Sequence, residues 1–125
     1  MRDRARRRLE AVAAHEAGHV VVARHLGAAD VTARVIRGRR GEFGFTFSGS
    51  AQDEAVIMLA GLEAEKLLTG RDNGGSSYDR KRAARALRRS DGTVEQAGNA
   101  AARLVRQHSG EIESEALRLA KGGGA

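Results

Sequence analysis

Residues His15 to His19 read His-Glu-Ala-Gly-His, and they stand inside a run from about Arg4 to Leu26 whose only helix breaker is Gly18. On a helix, residues i and i+4 lie one turn apart on the same face. The imidazoles of His15 and His19 can therefore converge on one ion while Glu16 borders that face. From Leu9 onward Val12, Ala13, Ala17 and Val20 to Val22 surround the helix with apolar groups, which predicts a core position. Three polar side chains in a buried helix are costly unless they share a ligand. The pattern thus demands that other elements cover this helix and complete a polar centre upon it.

Two neutral imidazoles suit a borderline-soft ion, and the expected metal is one zinc ion per chain. A catalytic zinc site uses three protein ligands and keeps a fourth position for water, which Glu16 can deprotonate as general base. The chain has no cysteine, so the third ligand must be His, Asp or Glu. His25 lies six residues beyond His19, but at about 100° per residue it points about 120° away. The HExxHxxGxxH arrangement would also need a turning glycine where Val22 stands. His25 is accordingly expected at the surface or as a cap. Glu65, and less favourably Glu63, lies on a second predicted helix, and Asp79 begins a third. Residue type and spacing make no choice between Glu65 and Asp79.

The 125 residues fit one domain, 1–125, with a single core. Helices are expected at 4–26, 51–69, 78–89, 94–107 and 111–120. Ser76 or Ser77 would cap the third and Asp91 or Thr93 the fourth, and a frayed tail is expected from Gly122 to Ala125. Val31 to Ile36 and the alternating Phe43, Phe45 and Phe47 read as two short strands joined by a turn with Gly38 and Gly41. The predicted class is mainly α (α+β): about five helices and a small two-stranded antiparallel β element. The three phenylalanines are read as core, and one strand edge could hold an extended peptide by strand addition.

The charge balance is basic, 22 Lys plus Arg against 16 Asp plus Glu, and nearly all the cations are arginine. Four aromatic residues offer no array of stacking platforms and no nucleic-acid motif appears, so the basic residues are read as solvated helix faces. The longest apolar stretch, around Val20 to Val22, is far shorter than the roughly 20 residues a membrane span needs. Met1 leads into a charged segment rather than an apolar signal core. A cytoplasmic, unsecreted chain without a membrane span is expected.

Four ordered blocks extend the pentapeptide: His-Glu-Ala-Gly-His with Val20 to Ala23, then Gly44-Phe45-Thr46, then Leu59 to Glu65, then Gly75-Ser76-Ser77-Tyr78-Asp79 with Ala83. Together they resemble the peptidase domain of the FtsH family of ATP-dependent zinc proteases. The resemblance covers about Arg6 to Arg89 and the later helices only loosely. It implies a zinc-dependent metalloendopeptidase in which His15, His19 and Asp79 bind the metal and Glu16 is the catalytic base. It further implies a ligand-orienting role for Glu65 and a substrate-binding strand at Gly44, Phe45 and Thr46. Leu62, Gly74, Tyr78 and Arg80 depart from the family pattern, which has Arg, Thr, Asn and Leu there. The sequence has no GxxxxGK[ST] phosphate loop. The implied protein is a peptidase domain standing without its motor, acting on unfolded or flexible polypeptide. Its implied partners are further copies in a homo-oligomeric ring or a separate ATPase. The competing expectations are a non-catalytic, zinc-stapled binding or regulatory module and, more weakly, a basic nucleic-acid-associated protein.

Overall fold

A computed structural model describes residues 2–71 and 77–124. Helix α1, Asp3–His25, is exposed through its arginine-rich first turns and buried almost continuously from Ala11 to Ala23. Its apolar wall is mostly alanine until Val20, so neighbouring backbones can come close. Helix α2, Ala51–Thr69, begins where the Ser50 hydroxyl accepts from the Asp53 N–H at 3.0 Å and ends at Gly70, whose φ of 74° is left-handed. The two helices meet at Gly18. A β-carbon there would stand 2.5 Å from Ala64 Cβ and 2.6 Å from the Ala60 carbonyl oxygen, so only glycine permits this approach.

Between them in the chain runs an antiparallel hairpin of β1, Ala29–Ile36, and β2, Arg40–Thr46. Ile36 pairs with Arg40, Ala33 with Phe43 and Ala29 with Thr46, with a register irregularity between Ala29 and Thr32. Arg37 and Gly38 turn the chain at φ 55° and 66°. This tight turn starts β2 three residues earlier than side-chain alternation predicts, because the ladder continues through Arg40 to Glu42 without any apolar signal. Phe47, expected in the strand, follows its end.

Helix α3, Ser77–Leu87, stops two residues short of the expected Arg89, where the chain tightens into i to i−3 hydrogen bonds such as Ser90 N–H to the Leu87 carbonyl at 3.0 Å. The proposed cap Ser76 and the loop glycines Gly74 and Gly75 lie outside the described residues, and Ser77 is the first residue of the helix. Helix α4, Val94–Gln107, is closed by a capping box in which Thr93 and Gln96 each accept from the other's backbone N–H. Helix α5, Ser109–Ala120, follows after the single residue His108. Beyond it Gly122, at φ 90°, and the Gly123 N–H, 2.9 Å from the Arg118 carbonyl, close the helix end.

The fold is mainly α with one small antiparallel sheet. Helices α1 and α2 form its centre, with α4 and α3 against α2 and with α5 and the hairpin against α1. Ile57, Met58, Val20, Val22, Val105, Ile112 and Leu119 are its largest fully buried apolar side chains. No helix among the described residues is long and apolar enough to cross a membrane.

Candidate metal centre

His15 and His19 leave α1 one turn apart, as their spacing requires, and both turn toward α3. Asp79 Oδ2 lies 2.8 Å from His15 Nε2 and 3.0 Å from His19 Nε2. The three ligand atoms lie within 4.8 Å of one another. Donors around a tetrahedral zinc at bond lengths of about 2.0–2.1 Å stand about 3.3 Å apart, so the two Asp79–imidazole separations of 2.8 and 3.0 Å are within a few tenths of an ångström of what the ion needs. Asp79 and His19 are buried, and the His15 side chain is nearly so.

What faces the other ring nitrogens decides whether the imidazoles can ligate. His19 Nδ1 is 2.9 Å from the Ile57 carbonyl oxygen. A carbonyl only accepts, so Nδ1–H donates and Nε2 is left to face Asp79. His15 Nδ1 in turn donates to Glu65 Oε1 at 2.9 Å. Both rings are thereby held with Nε2 toward the same point, the arrangement that metal-bound histidines need. Gly61 on α2 supplies the room: a β-carbon there would come 2.5 Å from His19 Nε2 and 2.7 Å from His15 Nε2. The donor set and this cradle fit a zinc ion held by His15, His19 and Asp79.

The charges are strongly coupled. Burial would depress His15, but hydrogen bonds to Asp79 and Glu65, with the nearby Glu16 and Asp79 charges, raise it to about 9. Burial would raise Asp79, yet its hydrogen bonds to both imidazoles hold its carboxyl well below the usual range. Glu16 goes the other way. Burial pushes its carboxyl up and Asp79 adds to this, while His19 and His15 pull it down.

Glu16 packs against β2 at Gly41, where any β-carbon would fall upon its carboxylate. Phe43 stacks on the His19 ring, with centroids 4.6 Å apart and planes 8° from parallel. It is therefore part of the wall of the centre, and like Phe45 and Phe47 it is half-buried and packed against the core, not inside it as expected. The centre lies against Gly41 to Phe43, just upstream of the expected substrate strand Gly44, Phe45 and Thr46. Among the described residues β2 pairs with β1 alone, which leaves its other edge without a strand partner. A cleft of about 1220 Å³ opens over His15, Glu16, His19 and Asp79, between the first turns of α1, the hairpin and α3.

The other acidic and histidine candidates have different partners. Glu63 pairs with Lys66 at 3.1 Å. His25 stacks on His108 at 3.7 Å and bonds Glu111 Oε1 at 2.9 Å, away from the cleft lining. The Ile57 carbonyl has no side-chain signature and could not be found from sequence. Gly61 carries a weak one, since a glycine inside a helix often marks a close approach, whereas Gly41 falls in the expected turn. Comparison with protein-family models, with curated proteins and with solved structures found no match to this chain.

Proposed function

We propose that the chain is a zinc-dependent metalloendopeptidase acting on unfolded or flexible polypeptide. The observation that carries this reading is the joint placement of His15, His19 and Asp79 about one point, with the buried Glu16 carboxylate beside them and an open cleft above. At this centre three ligand atoms converge among the described residues, and Glu65 is turned to the far side of the His15 ring. A closed structural site would use a fourth protein ligand, so this arrangement favours catalysis over a zinc-stapled module.

Zinc held by these residues would polarise the scissile carbonyl and acidify a water molecule. Glu16 takes the proton of the attacking water at its carboxylate. As the carbon–oxygen bond forms and the carbon–nitrogen bond breaks, Glu16 returns that proton to the leaving amine. Its raised affinity for protons suits both transfers. An extended substrate lying along the free edge of β2 would exchange main-chain hydrogen bonds with Gly41 to Thr46 and bring its backbone past Glu16. His15 and His19 are held still throughout by Glu65 and the Ile57 carbonyl.

The test is Glu16→Gln. The variant should keep one zinc per chain and lose casein cleavage by at least about 100-fold, the scale of general-base catalysis. Cleavage at the wild-type rate would remove the mechanism.

A further inference from the structure

The walls of the cleft carry a charge that the chemistry at its floor does not use. Arg4, Arg7 and Arg8 line it from α1, Arg39 and Arg40 from the hairpin, and Arg71 and Arg82 from beyond α2 and from α3. Outside the centre itself, two carboxylates line the cleft among the described residues, Glu10 and Glu42. Glu10 faces Arg6 at 4.0 Å, and Glu42 is held by Arg34 at 2.6 Å, both arginines lying outside the lining. Arg40 approaches Glu42 only to 4.0 Å. The other six lining arginines make no carboxylate pair among the described residues. One of them, Arg82, sits over the Phe45 ring with 5.0 Å to its centroid. A concave wall of one sign concentrates ligands of the other.

We infer that the cleft selects polypeptide segments rich in aspartate and glutamate, a substrate class that rests on the peptidase reading given above. An acidic peptide matches the layout in a way that a nucleic acid does not. Its charges sit at the ends of side chains, so they reach the arginines while a neutral backbone passes Glu16. A nucleic acid strand carries a charge about every 3.4 Å on the backbone itself and would set phosphates against Glu16 and Asp79. The lining also has one exposed aromatic side chain, Tyr78, and so no series of stacking surfaces for bases. Each exposed guanidinium–carboxylate contact is worth at most about fivefold in affinity, so several must act together.

The experiment uses zinc-loaded Glu16→Gln protein and fluorescein-labelled unstructured peptides of equal length whose flanking residues are glutamate, serine or lysine. Anisotropy at low salt should show the glutamate peptide binding roughly tenfold or more tightly than the serine peptide, with the gap shrinking as salt rises. Adding Arg7→Glu and Arg39→Glu should remove that gap and raise affinity for the lysine peptide, a gain that a misfolded variant could not show. Equal binding of the glutamate and serine peptides overturns the inference, as does displacement of the glutamate peptide by a lower concentration of oligothymidylate. The wild-type protein is assayed on the same peptides. Cleavage without charge preference leaves the peptidase standing and removes the acidic selectivity. Acidic binding without any cleavage does the reverse.

Discussion

Glu65 accepts a hydrogen bond from His15 Nδ1 at 2.9 Å, across the ring from the Nε2 that faces Asp79. One imidazole thus links the two carboxylates that spacing alone could not rank, and each has a distinct task. Glu65 orients the ring and strengthens its basicity, whereas Asp79 shares the point on which both Nε2 atoms converge. Asp79→Ala should abolish stoichiometric zinc. Glu65→Gln keeps an acceptor but loses the charge, and should weaken zinc about 10- to 100-fold. Zinc titration against a competing chelator separates the two, and equal losses would refute the division of labour.

Gly61 offers a second test of the seat. Gly61→Ala adds one methyl group to an exceptionally crowded place, against both Nε2 atoms. Alanine is favoured over glycine in a helix by about 1 kcal/mol, so α2 should survive. Zinc should still be lost, because the methyl group and the ion compete for the same space. A helical circular-dichroism spectrum with no bound zinc is the expected result, and full zinc content would contradict this placement.

The raised His15 sets a pH dependence. Below about pH 9 zinc must displace a proton from this ring, so its apparent affinity should rise about tenfold per pH unit from roughly 6.5 to 9. An ordinary imidazole would level off above about 6.5. For zinc-stripped protein the sign reverses. A folded value above the unfolded one stabilises fully below about pH 6.5, and that stability is lost as pH rises through about 9. Asp79, held low, contributes above about pH 4 and its contribution is lost in stronger acid. Thermal melts in chelator should therefore peak between about pH 4 and 6.5 as far as this pair is concerned, and zinc should flatten the alkaline decline. A melting temperature of stripped protein that climbs from pH 7 to 9 would be the wrong sign.

Glu115 ties the last helix to the first. Its buried carboxylate takes two bonds from Arg118, at 2.7 and 2.8 Å, and one from Arg24 on α1 at 3.3 Å. Both arginines are partly exposed and can return to water, so Glu115→Ala should cost less than breaking a fully buried pair, about 1–3 kcal/mol. That corresponds to a fall of roughly 5–10 °C in Tm. An unchanged melting temperature would mean that α5 is held by Ile112 and Leu119 alone.

The sequence by itself determined the elements and the local half of the centre. Apolar periodicity and Gly70 place the helices, and His15 and His19 share a face that Glu16 borders because a helix repeats every 3.6 residues. Such signals act over one or two turns, which is why they are legible. The long-range half was decided only by tertiary packing. Asp79 is 64 residues from His15, and it meets both imidazoles because α3 docks beside α2 while Gly18 and Gly61 let α1 and α2 approach. The Ile57 carbonyl orients His19 through a backbone atom that every residue possesses. The arginines, scattered from Arg4 to Arg82, read one by one as solvated faces. They become the wall of one cleft only when α1, the hairpin, the chain beyond α2 and α3 surround it, since like charges separated along the chain reveal no common field until folding brings them together.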